Sequence, residues 1–155
     1  MKLTANFTLD ELVKSQVAIR KGINNNPSPT QIENLKALAV NILQPIRSHF
    51  DKPLIISSGF RSAQLCIEIG SSINSQHCAD KKAAAADFEI PSIDNKELAE
   101  WIRDNLQFDQ LILEYYNEGD PNSGWIHCSY STDLNRNERL IAYKDDDNKT
   151  QYKHW

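Results

Sequence analysis

Ala83-Ala84-Ala85-Ala86-Asp87-Phe88-Glu89-Ile90 is a run of small and apolar residues in which Asp87 is the first charge. The run reads as a strand over residues 83–90. A lone carboxylate buried in such a strand is costly, or takes up a proton, unless it meets a cation, several N–H donors or a metal. The plain alternative is a strand-end aspartate that accepts backbone hydrogen bonds.

Upstream, Pro53-Leu54-Ile55-Ile56-Ser57-Ser58 reads as a strand that Gly59 closes. Residues 109–116 are apolar on both faces, which suits a central strand. Residues 125–130 form another strand and 139–143 an edge strand. Residues 60–82 are long, polar and without strong periodicity, the mark of a functional loop. Glu118-Gly119-Asp120-Pro121-Asn122-Ser123-Gly124 is a turn-rich loop.

Helices precede most of the strands. Thr8-Leu9-Asp10-Glu11 has capping-box spacing and opens a helix over 9–17. Ser28-Pro29-Thr30-Gln31 opens a second, with Ile32, Leu35, Leu38, Ile42, Leu43 and Ile46 on one face. Pro45 should kink or shorten it. Asp94-Asn95-Lys96-Glu97 caps a third, which carries Leu98, Trp101 and Ile102 inward. This order predicts a single α+β domain, with N-terminal helices packed on a mainly antiparallel sheet. The domain is expected over 1–145, with its core at about 28–131, and a charged, frayed tail over 146–155.

The 155 residues suit one domain, large enough to fold without a staple. A net charge of −4 lacks the basic footprint of a nucleic-acid binder, so no nucleic-acid partner is expected. No apolar window reaches a membrane span. Polar residues interrupt the first ten positions, so no secretory signal is read and synthesis in the cytoplasm is expected. Cys66, Cys78 and Cys128 are odd in number and lack Cys-x-x-Cys spacing, which argues against a disulfide framework. The chain is expected to be a monomer.

Two histidines bear on Asp87. In Trp125-Ile126-His127-Cys128-Ser129, alternation puts Trp125, His127 and Ser129 on one face. His77 lies in Ser75-Gln76-His77-Cys78, within the long loop. Alone, His127 reads as a satisfied core histidine and His77 as a solvated one. Together with Asp87 they supply the two imidazoles and one carboxylate that a catalytic zinc takes, leaving one position open. Glu114, at the end of Leu111-Ile112-Leu113, is a candidate general base. Arg61, in Ser58-Gly59-Phe60-Arg61-Ser62, is a candidate for binding a substrate carboxylate through its planar fork. The plain readings are an edge carboxylate and a surface ion pair. A cysteine hydrolase built on Cys78 or Cys128 is a rival, although Cys128 points away from His127.

Five segments, in order over about residues 30–130, resemble the M15 family of zinc peptidases. They are Ser58-Gly59-Phe60-Arg61-Ser62, Ser75-Gln76-His77, Ala85-Ala86-Asp87-Phe88, Phe108-Asp109-Gln110-Leu111-Ile112-Leu113-Glu114 and Trp125-Ile126-His127-Cys128-Ser129. The resemblance implies a Hedgehog/DD-peptidase-like fold, with Zn2+ held by His77, Asp87 and His127. It gives Arg61 the role of binding and polarising substrate, and makes Glu114 the best match for the base. It further implies hydrolysis of peptidoglycan stem peptides, as a D,D-carboxypeptidase or an L-Ala-D-Glu endopeptidase, and a phage endolysin role in the cell wall. Two departures stand out. The family usually spaces its first histidine and its aspartate seven apart with a Gly between; here they are ten apart without one, and Asp80 is a second candidate ligand. Some members place the acid three residues before the last histidine, where this chain has Gly124. These departures motivate an alternative, a non-catalytic phage structural or wall-binding module on the same fold.

Overall fold

A computed structural model describes residues 1–155. Its strands are β1 (Ile55–Ser58), β2 (Ala83–Glu89), β3 (Gln110–Glu114), β4 (Trp125–Ser131), β5 (Glu138–Lys144) and β6 (Thr150–His154). They form one sheet in the order β1-β2-β4-β3-β5-β6. Every pairing is antiparallel except β3 with β5. The expected α+β architecture is therefore present, and β3 is central, as its two apolar faces require.

The helices are α1 (Leu9–Val13), α2 (Gln16–Lys21), α3 (Pro29–Leu38), α4 (Gln44–Phe50), α5 (Ala63–Glu68) and α6 (Asn95–Asn105). Of these, α1, α3, α4 and α6 pack on one face of the sheet. Ala84, Ala86 and Phe88 of β2, Leu111 and Leu113 of β3, and Ile126 and Cys128 of β4 share a core with Leu35, Leu38, Ile42, Leu98 and Ile102. Strand alternation then sends Asp87, His127, Ile112 and Glu114 to the other face.

The chain departs from the sequence reading in four places, one of them helix α5, which interrupts the stretch 60–82 read as a loop. The first helix does not run to residue 17: Lys14 is extended, and the Ser15 side chain accepts from Ala18 N to start α2. A serine that satisfies an orphan N–H opens a new helix more readily than it continues an old one. Pro45 does not end the second helix. Residues Ala39–Leu43 switch to a π-helical turn, and Gln44 N–H bonds Ala39 O. The wider turn absorbs the missing N–H and the ring, so helix resumes as α4. Finally, the C-terminal residues do not fray. They form β6, which makes β5 an inner strand and not the edge. Asp145 accepts from the backbone N–H of Asp147 and Lys149, which closes the turn, and Arg103 lies 4.9 Å above the Trp155 ring.

At the end of β1 the chain crosses α1 at very close range. Phe60 N–H donates to Leu12 O at 2.6 Å, and a Cβ at Gly59 would collide with that same carbonyl. Gly59→Ala must therefore displace backbone, at about 1–3 kcal/mol. The check is a lower denaturant midpoint with an unchanged slope.

Candidate metal centre

Asp87 on β2 sits directly opposite His127 on β4. His127 Nδ1 lies 2.9 Å from Asp87 Oδ1, and His77 Nε2 lies 3.4 Å from the same oxygen. One ligand atom from each of the three residues falls within 4.8 Å of the others. Bonds of about 2.0–2.2 Å to a tetrahedral ion would put ligand atoms about 3.4 Å apart. The donor set and its spacing therefore fit a zinc-sized cation. Arg61 completes the group, with Nη2 3.6 Å from Asp87 Oδ2.

His77 arrives from the long loop, on a single 3-10 turn (Gln76–Cys78). Its Nδ1 faces Gly59 O at 2.8 Å, so this nitrogen carries the proton and Nε2 offers its lone pair toward Asp87. Arg61 N–H donates to His77 O at 2.9 Å, locking the loop to the end of β1. The three additional residues between His77 and Asp87 do not pull them apart. Ala79, Lys81 and Lys82 take positive φ without glycine and wind the excess into a tight return. Asp80 stays exposed and accepts from Gln31 Nε2 at 3.1 Å, away from the cluster.

Residues that the sequence reading passed over hold this loop. Buried Asn34 of α3 donates to Ala79 O at 2.7 Å, and Gln31 Nε2 donates to Cys78 O at 3.1 Å. Their signal was present: Gln31, Asn34 and Leu38 share one helical face. Asp109 accepts from Gln76 Nε2 at 2.6 Å and from Arg136 N, Nε and Nη2 at 2.9–3.1 Å. It ties the His77 turn to the start of β3.

Electrostatics follow the geometry. Burial pushes the Asp87 carboxyl up, but the imidazoles of His127 and His77 set against it outweigh burial and hold it well below the usual carboxylate range, so it stays ionised. Burial is also the main reason that the His77 imidazole is held below its ordinary value, and hence neutral. Neutral imidazole and ionised carboxylate are the forms that bind metal.

Glu114 lies on the same face, two residues along β3 from Ile112, which pairs with His127. Burial raises its carboxyl above the ordinary value; Asp87 adds to the rise and His127 opposes it. Gly124 leaves no room for an acid three residues before His127. It has φ +67, and any Cβ there would strike the Glu114 carbonyl oxygen. Cys78 and Cys128 offer no hydrolytic nucleophile in the folded site. Cys128 is buried on the helix side with its thiol pushed up by burial, and Cys78 is pushed up to about 12, chiefly by burial. A cleft of about 460 Å³, lined by Ser75, Gln76, Gln110 and Arg136 among others, opens beside His127. A second, of about 370 Å³, opens beside Arg61.

Asp109 supplies a pH test. Burial raises its carboxyl, but the hydrogen bonds from Arg136 and Gln76 leave it below the ordinary value. Since the folded value lies below the unfolded ~3.9, the pairing stabilises fully above about pH 5 and fades as pH falls through the folded value. Asp109→Asn should lose stability at neutral pH and flatten the acid side of the stability curve, measured by denaturant unfolding at successive pH values.

No curated protein matches this sequence. A family model, Peptidase M15, matches residues 5–129, a span that includes Arg61, His77, Asp87, Glu114 and His127. The match covers most of the chain, and on it the protein belongs to the M15 peptidase family, with peptidase activity as its general function.

Proposed function

We propose that the protein is a zinc-dependent hydrolase of peptidoglycan stem peptides, acting as a D,D-carboxypeptidase or an L-Ala-D-Glu endopeptidase. The observation that carries this reading is the convergence of His77, Asp87 and His127 within 4.8 Å, on a sheet face that also bears Glu114. In the proposal these three residues hold the ion. When bound, zinc lowers the pKa of a water toward about 7 and polarises a carbonyl.

The chain's own groups do the rest. Arg61 is anchored through Nε to Ser58 Oγ at 3.0 Å, which leaves its terminal nitrogens directed at the site. A planar guanidinium held this way pairs with a carboxylate in two-pronged fashion. Both candidate bonds lie next to one: the terminal carboxylate of D-alanine, or the α-carboxylate of D-glutamate. Glu114, made more basic by burial, takes a proton from the attacking water and returns it to the leaving amine. The clefts beside Arg61 and His127 give an extended peptide room on both sides of the scissile bond. The same chemistry fits a phage endolysin.

Purified muropeptides, digested with and without a chelator, test the reading. Release of D-alanine or a cut between L-alanine and D-glutamate is expected, and its loss on chelation. Intact muropeptides in zinc-replete buffer would overturn it. His127→Ala should lose zinc in a competition titration by more than the ~10–100-fold that a supporting residue commands. Glu114→Gln should keep one zinc per chain yet lose about 10²–10⁴-fold in kcat.

A further inference from the structure

Cys66 and Cys78 lie twelve positions apart in the sequence, yet their sulfurs are 3.1 Å apart. That is closer than even two unbonded carbon atoms settle, about 3.5–4.0 Å, and only about 1 Å longer than a covalent S–S bond. Both thiols are buried. Cys66 is on α5, and Cys78 ends the turn that presents His77. No large apolar side chain anchors the chain between them: Ile67, Ile69 and Ile73 all face solvent. Leu65, the two cysteines and His77 are its buried side chains, and outside them it is tied down by polar contacts, Gln76 to Asp109 and Lys21 to Glu68.

We propose that Cys66 and Cys78 are a disulfide site, closed by exchange with a small-molecule disulfide or a dithiol–disulfide oxidoreductase. The inference does not rest on the peptidase reading. One cysteine, as thiolate, attacks the oxidant's S–S bond and releases one of its thiols. The second cysteine then attacks the mixed disulfide and releases the other. Two protein thiols are oxidised, one external disulfide is reduced, and both protons leave on the released thiols. Because neither sulfur is exposed, exchange takes place when the segment over residues 61–82 opens locally. The bond then ties α5 to the His77 turn and removes much of that opening. Cys128 takes no part. It lies in the core shared with the helices, and its nearest polar partner is Ser129 O at 4.0 Å.

The test uses the full chain, incubated with oxidised glutathione or with dithiothreitol, then denatured, alkylated and digested for mass spectrometry. The oxidised sample should alkylate only at Cys128 and yield a peptide linking Cys66 to Cys78; the reduced sample should alkylate at all three. Three alkylated cysteines after oxidation, glutathione adducts without the link, or a link through Cys128 would each overturn the proposal. Cys128→Ser should leave the link intact. If that variant does not fold, amide exchange of the parent decides: residues 61–82 should exchange about tenfold more slowly when oxidised. Equal rates in the two forms would rule out the staple.

Discussion

Asp87 and His127 face each other across β2 and β4, and the site depends on that register. Strand side chains alternate, so a slip of one residue would turn one partner into the helix-packed core and leave the other behind. The register is held by bulk on the opposite face. Phe88 and Ile126 fill the space beneath the helices, where a one-residue slip would instead put Asp87 or Glu89 and Trp125 or His127. Hydrophobic packing on one side thus fixes the polar chemistry on the other. Ala84 and Ala86 are small on the face where helix α3 packs against that strand.

His77 is held differently. Its strand-borne partners inherit their position from the sheet, whereas the loop must be tethered contact by contact. Gly59 O and Arg61 N–H hold it from β1, Gln31 and Asn34 from α3, and Gln76 with Asp109 from β3. Each is a modest bond, worth about 0.5–1.5 kcal/mol net. Together they draw on three separate elements, so the imidazole is positioned only when the whole domain is folded.

Much of this was legible from residues alone. Period-two alternation put His127 on one face of its strand, and the mismatch of Asp87 with its apolar surroundings singled it out. Two capping boxes marked the starts of α1 and α3. Other features depended on partners distant in sequence. Ser15 is compatible with helix or cap until Ala18 N–H claims it. Residues 150–154 have no apolar face, and they become a strand only because β5 offers an unpaired edge. The three positive φ values after Cys78 occur without glycine, so no residue announced the tight return. Asn34 shares a helical face with Gln31 and Leu38, but its partner shows only once Ala79 O is placed beside it.

Gly124 limits what the β3–β4 hairpin can carry. Its backbone conformation, and the carbonyl of Glu114 pressed against its α-carbon, leave no room for any side chain. A side chain at position 124 would break the junction between β3 and β4, so the hairpin keeps one pinch point wide enough for a hydrogen atom alone.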